Sequence, residues 1–517
     1  TGSLESGFAV DFVPGIWLGN TERGLQWCSE INEFWRNSDK SRAIEVVKQP
    51  AETVLRLRVI DRPYKTPKQI SYRWGLIASP VKDYDRKTTR EMYYGQYAVP
   101  EEYYKNDEKA VENLKTQLEM GKEMGVTWVN TFRWLTRFDP PVGPGTFGEP
   151  YLEKPEHIEA HRAVVKLIHD YGMKTTTYTG WNGLHPNMSW WPFFGEAMKR
   201  TPSRFTYGGY KGCSRGGYGD YLANGLAWMI QNLGIEGVYL DGTASMPPCH
   251  DVYHGCGYTD PETGLRVITF NIWPQREMFK RMYKITHGEV IEGGLLYSHA
   301  GGSPMLAIES FVDVRHGSEG DTLEEYLDLD SFRTKYYGRM YGLPLELTWV
   351  YNAPPNLVWG IGMLHDTPIK MYNHLFTDRR SRSNNYQKAH IGWRMWAPRQ
   401  WFDWDADHQW HPYFENEDVL AIDEPDVKAS FHLNGKAQMI FIAVNLNEKE
   451  KPARFTLNLP KLKLPGVLYA RDAVTDEAFE INNGEFQMQI LGHRPRVLMI
   501  GASPVAKVEL NITGHAP

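Results

Sequence analysis

The stretch GDYLANGLAWMIQNLGIEGVYLDG, residues 219–242, decides the fold. It reads as a helix over about 219–233 that stops near Gly234. A short apolar strand follows at once and ends in a carboxylate, Asp241, and a glycine, Gly242. The same order of helix, glycine and β-rich strand occurs twice upstream. DEKAVENLKTQLEMGKEMG (107–125) carries Val111, Leu114 and Leu118 at helical spacing with Gly125 at its end, and VTWVNTF (126–132) follows. Pro155 opens EHIEAHRAVVKLIHDYG (156–172), with Ile158, His161, Val165 and Ile168 on one face, and MKTTTYTGW (173–181) follows. Repeated βα units require a parallel sheet with helical crossovers. Further strand-like runs at EVIEGGLLYS (289–298), SFVDV (310–314) and PLELTWV (344–350) extend the series. The span suits a (β/α)8 TIM-like barrel over about 86–410.

Both ends of the chain have a different periodicity. In VLRLRVI, Leu55, Leu57 and Val59 alternate with Arg56 and Arg58, the period of two of a half-buried strand, and YRWGLIASPV (72–81) is a second strand-like run. Residues 1–85 are expected to form an N-terminal β-sandwich. In the tail, Phe455, Leu457 and Leu459 alternate with polar residues, and Asn-Gly turn signals sit beside FHL and before EFQMQI. Residues 411–517 are expected to form a C-terminal β-sandwich.

Composition excludes several classes. With 57 Lys+Arg against 63 Asp+Glu, the net charge of −6 argues against a polyanion binder resting on bulk charge. No run of about 18 uncharged apolar residues exists, so no transmembrane helix is expected. The 18 Trp, 29 Tyr and 21 Phe suit sugar binding as well as a large core, because aromatic rings stack on pyranose faces. There is no GxGxxG, GxxxxGK[ST] or GxSxG, so neither a nucleotide cofactor nor a nucleophile elbow is supported, and no cofactor is expected. The opening TGSLESG reads as what remains after removal of a signal peptide, and a periplasmic or secreted location is expected on that ground. The four cysteines, Cys28, Cys213, Cys249 and Cys256, allow three full pairings among which sequence does not choose. CHDVYHGC (249–256) matches no usual zinc spacing, so a stapled or pocket-shaping loop is preferred there and no metal is expected.

Barrel enzymes carry their catalytic groups at the carboxyl ends of the strands. Asp241 stands at that position, and Gly242 after it leaves room for a ligand; the bland alternative is a capping aspartate. Glycoside hydrolysis needs a second carboxyl across the scissile bond. The candidates are Glu319 in HGSEGD, Asp313 in FVDVRHG and Glu292 in VIEGG, with Glu319 preferred because its glycine-bounded loop follows a strand. Arg133, Trp134, Trp181, Asn182, Tyr239, His299, Arg315, His316, Trp349 and Tyr351 cluster at or near the same strand ends and are candidates for substrate binding. The arginines suit an anionic or sulfated sugar, or equally an aspartate neighbour.

With these features, QISYRWGLIASPVK (69–82), GVYLDG and HGCGYTD (254–260) resemble the glycoside hydrolase family 123-like group. The resemblance implies an N-terminal β-sandwich, a catalytic barrel and a C-terminal β-domain. It also implies a substrate-assisted β-N-acetylgalactosaminidase with an adjacent Asp-Glu pair ending a barrel strand. In this chain Asp107-Glu108, Asp423-Glu424 and Asp476-Glu477 are the adjacent pairs, and none ends an expected barrel strand. GVYLDG also resembles the nucleophile strand of retaining α-glycosidases. The reading is therefore a glycoside hydrolase acting on an oligo- or polysaccharide, retaining, with Asp241 as nucleophile and Glu319 as acid/base. The alternatives are the substrate-assisted enzyme, a carbohydrate-binding protein on a degenerate barrel, and a lyase using Tyr239 or His299.

Overall fold

The computed structural model describes residues 7–66, 69–84, 93–96, 108–123, 126–131, 155–180, 183–188, 190–205, 209–242, 248–347, 353–369, 371–372, 398–404 and 407–507. The first strands are β1 (Phe8–Val10), β2 (Gly15–Gly19), β3 (Gly24–Ser29), β4 (Ile44–Lys48), β5 (Thr53–Leu57) and β6 (Trp74–Ser79). They form two antiparallel three-stranded sheets, β1-β4-β5 and β2-β3-β6. The alternation around Leu55 explains the packing. Leu55, Leu57 and Val59 turn inward with Ile44 against Trp27 and Trp35. Arg56 and Arg58 turn outward and join Arg42 around Glu45 at 3.1, 3.0 and 2.6 Å.

Eight strands make the central sheet, all parallel: β7 (Tyr93–Gln96), β8 (Trp128–Thr131), β9 (Lys174–Gly180), β10 (Gly237–Asp241), then, beyond four short strands described below, β15 (Leu295–His299), β16 (Val314–Gly317), β17 (Leu345–Leu347) and β18 (Met371–Tyr372). Their order is β17-β16-β15-β10-β9-β8-β7-β18. At least one helix separates every successive pair. A parallel bridge joins Leu347, at the end of β17, to Ile369, just ahead of β18 on the opposite edge. The helix Pro155–Asp170 buries His161, Val165 and Ile168, as its spacing implies. The helix Tyr218–Leu233 ends at Gly234, whose φ of +77° only glycine adopts freely.

Between β10 and the helix Ile272–Lys284 the chain makes an excursion of two ribbons, β11 (Pro248–Cys249) with β14 (Thr269–Phe270) and β12 (Tyr258–Thr259) with β13 (Arg266–Val267). The N-terminal region braces this part. Glu30 accepts from the Trp273 backbone at 2.7 Å and pairs with Arg215 at 2.9 Å, while Gln26 holds the Pro304–Leu306 backbone at 2.9 and 2.7 Å.

The tail forms one nine-stranded antiparallel sheet from β19 (His408–His411), β20 (Leu420–Ile422), β21 (Val427–Asn434), β22 (Met439–Asn445), β23 (Lys451–Leu457), β24 (Val467–Asp472), β25 (Ala478–Asn482), β26 (Glu485–Ile490) and β27 (Pro495–Gly501). It folds over on itself around a single core. Phe441 of β22 meets Phe455 of β23 and Phe486 of β26 edge-on, at 5.3 and 5.6 Å, although these strands lie far apart in the sheet order. Two separate sheets are thus replaced by one continuous sheet, and one helical turn, Leu459–Leu462, interrupts it. The Asn483-Gly484 turn between β25 and β26 has φ of +53° and +81°, as a tight hairpin requires.

Candidate active site

Parallel register places the functional groups in rungs. Asp241 lies beside Gly180 on one side and His299 on the other, His299 beside His316, and His316 beside Glu346. Side chains of one rung share a face of the sheet. One step down the strands, Tyr178, Tyr239 and Tyr297 form a second rung on the same face, and with Trp128, Leu295 and Val314 they make a packed floor. The upper rung stands on that floor at the carboxyl ends of the strands.

Hydrogen bonds fix the upper rung. The Tyr178 hydroxyl donates to Asp241 Oδ2 at 2.6 Å, and His299 Nδ1 lies 3.0 Å from Asp241 Oδ1. The Tyr239 hydroxyl reaches the same His299 nitrogen at 2.8 Å, and His299 Nε2 lies 3.6 Å from Glu319 Oε2. One imidazole therefore touches both carboxylates. Next to it, the Tyr297 hydroxyl reaches His316 Nδ1 at 2.6 Å and donates to Glu346. Asp241 is 29% exposed and Glu319 56%, whereas Glu346 and His316 are buried. The two carboxylates that His299 joins are thus also the ones a ligand can reach.

The backbone aims both of them. Gly242, at φ +63°, turns the chain directly after Asp241, and its N–H donates to the His299 carbonyl at 2.7 Å. Ser318, at φ +77°, turns it directly after β16 and sends Glu319 back over the sheet end. A left-handed serine is uncommon and costs free energy, so the surrounding contacts must hold it. They include Asp321, which accepts from Tyr336 at 2.7 Å, and the capping box of Thr322 and Glu325 that starts the next helix.

The structure separates the remaining expected residues. Asp313 lies ahead of β16, at the amino end of the sheet, where its carboxylate accepts from the Leu296 backbone at 2.6 Å and meets His287 at 3.1 Å. Glu292 is exposed in the turn ahead of β15, at that same far end. Neither joins Asp241. Arg315 alternates to the opposite face from His316 and is fully buried, pairing with Glu309 at 2.8 Å and the Gly301 and Gly302 carbonyls at 3.2 and 2.9 Å. It offers no guanidinium to an anionic sugar, and its carboxylate partner is Glu309 rather than Asp313. Arg133, Trp134, Trp181, Asn182, Trp349 and Tyr351 lie outside the described residues.

Tyr178, Tyr297 and Glu346 were not expected. The tyrosines had a signal, since each stands two residues before the last residue of its strand, as Tyr239 does. Glu346 had a weaker one, a lone carboxylate inside the apolar run PLEL. Beyond β9, the exposed rings of Phe193, Phe194 and Phe205 stand in the connection to the helix Tyr218–Leu233, with His185 and Tyr210 packed against Phe205 at 5.5 and 5.3 Å. Burial lowers the His185 pKa, which favours its neutral ring.

No protein-family model matches the chain, and no curated protein matches it in sequence. Solved structures share its fold. A noncanonic maltogenic α-amylase from Thermotoga neapolitana superposes with a TM-score of 0.54 at 14% identity, over 80% of this chain and 99% of the amylase. An α-amylase from Geobacillus thermoleovorans, complexed with acarbose, gives 0.53 at 13% identity over 80% and 99%. An Anoxybacillus α-amylase gives 0.53 at 14% identity over 82% and 100%. The chain thus has a multidomain α-amylase-like fold, with its parallel sheet and its large antiparallel sheet in one chain.

Proposed function

We propose that the chain is a retaining glycoside hydrolase that cleaves an oligo- or polysaccharide at the mouth of a closed (β/α)8 barrel. The observation that carries the proposal is the pair Asp241 and Glu319, reached from two strand ends and joined through His299 above a floor of tyrosines. The bridge between Leu347 and Ile369 supports closure of the sheet, since it spans the two edge strands. The shared α-amylase fold supports the reaction class.

In this reading Glu319 protonates the glycosidic oxygen as the bond to the anomeric carbon breaks. An Asp241 oxygen bonds to that carbon. Glu319, now ionised, takes a proton from the water that displaces Asp241 and restores the enzyme. Tyr178 and His299 hold the two Asp241 oxygens in one orientation, so the nucleophile is positioned before the substrate arrives. The exposed rings of Phe193, Phe194 and Phe205 supply faces for further sugar units. Of the adjacent Asp-Glu pairs, Asp423-Glu424 and Asp476-Glu477 belong to the C-terminal sheet region, and Asp241 is followed by glycine. The proposal therefore uses direct attack by Asp241 rather than substrate assistance.

A panel of nitrophenyl glycosides and polysaccharides tests it. Turnover by the wild type that Asp241→Asn abolishes is the expected result. Binding of a polysaccharide without turnover of any member would replace the enzyme with a carbohydrate-binding protein.

A further inference from the structure

The excursion beyond Asp241 is held together by unusual means. Across residues 248–270 the buried residues are Cys249, His254, Cys256 and Thr269, while Val252, Tyr253 and Leu265 stand in solvent. Its aliphatic side chains and those of Tyr258 and Phe270 are at most half-buried, so the excursion has no apolar core of its own. Small units without an apolar core depend on staples such as disulfides or metal ions.

Cys213 reaches the same spot from the loop ahead of the helix Tyr218–Leu233. The Sγ atoms of Cys213, Cys249 and Cys256 lie within 4.8 Å of one another, all are buried, and none is bonded to another. The Cys213 and Cys256 sulfurs are 3.8 Å apart. Zinc–sulfur bonds of about 2.3 Å at tetrahedral angles place sulfurs about 3.8 Å apart. His254 Nδ1 lies 3.7 Å from Cys249 Sγ. N–H donors face two of the sulfurs, while Cys256 Sγ lies 3.3 Å from Asn271 Oδ1. The Thr201 and Asp251 N–H groups point at Cys249 Sγ at 3.4 and 3.5 Å, and Asn271 Nδ2 points at Cys213 Sγ at 3.4 Å. Donors of this kind commonly surround metal-bound ligands and orient them. Any single disulfide would leave the third thiol buried and unused, whereas a metal ion takes all three.

We propose that Cys213, Cys249 and Cys256 bind a structural zinc ion that fastens the excursion beyond Asp241 to the loop ahead of the helix Tyr218–Leu233. Three soft sulfur ligands select zinc over oxygen-loving cations. The motif escapes sequence inspection because its third cysteine lies far outside CHDVYHGC. The inference does not rest on the glycosidase reading.

The test uses the full chain. Metal analysis after dialysis into metal-free buffer is expected to find about one zinc per chain. Replacing zinc with cobalt(II) in the wild type should give the strong visible bands of tetrahedral cobalt and a thiolate charge-transfer band. Cys213→Ser should abolish retention. A wild type that retains no zinc after exposure to it, a six-coordinate cobalt spectrum, or a disulfide among these cysteines would overturn the proposal. Because the cobalt spectrum is read on the wild type, misfolding of a cysteine variant leaves the test decisive.

Discussion

At the residue scale, the account rests on what Asp241 and its neighbours do. Asp241→Asn keeps the shape of the side chain and removes the charge needed for attack, so turnover should fall by a factor on the order of 10³ or more with the fold intact. Tyr178→Phe removes one hydrogen bond to a charged oxygen, worth about 1.5–3 kcal/mol, and kcat should fall by roughly 10- to 100-fold. Retention of wild-type kcat in the Tyr178 variant would show that the bond does not position the nucleophile. Glu319→Gln should slow natural linkages strongly and substrates with good leaving groups much less, because the latter need little protonation. Equal losses on both kinds would remove Glu319 as the acid. The place of Asp241 at the end of a parallel strand was legible in the sequence, because the apolar run before it and the glycine after it are local signals. The bond from Tyr178 to Asp241 was not, because it depends on the register between β9 and β10, which joins strands far apart in the chain.

At the element scale, alternation along β16 decides which neighbours take part. His316 faces the tyrosine floor, while Arg315 faces the outer layer and Glu309. Both are candidate substrate contacts by sequence, since a strand end alone does not show which face points inward. Arg315→Met should cost about 3–5 kcal/mol of stability, because it leaves the Glu309 carboxylate buried without its cation. The variant that still folds should keep the wild-type KM. A raised KM at unchanged stability would return Arg315 to the binding site. Helix limits were more readable than strand faces. The helices at 108–123, 155–170 and 218–233 fall where apolar spacing and stop glycines put them, because those signals are local.

At the scale of the whole molecule, the C-terminal sheet is joined to the parallel sheet through the helix Pro355–Leu364 and His365 at its end. His365 Nδ1 donates to the Ile361 carbonyl at 2.8 Å, and Nε2 accepts from the Tyr413 hydroxyl at 3.2 Å. Burial holds the His365 pKa down to about 3. The unfolded chain takes up this proton near pH ~6.5 and the folded one does not until about pH 3, so stability is complete above the first value and declines as pH falls. Denaturation at about pH 7.5 and about pH 5 should show a loss of roughly 1–2 kcal/mol that His365→Gln lacks. An equal loss in the variant would assign the acid sensitivity elsewhere. The order β-region, βα-region, β-region was legible from periodicity alone. That the tail is one sheet folded over itself was not, since alternation fixes the faces of strands but not which strands pair.

The central claim is that Asp241 bonds to the sugar, and a trapped intermediate tests it most directly. A fluorinated, activated glycoside of the sugar found by the substrate panel should label the enzyme once, and peptide mapping should place the sugar on Asp241, with product released in the starting anomeric form. A label on another residue, or product released with inverted configuration, would contradict the account.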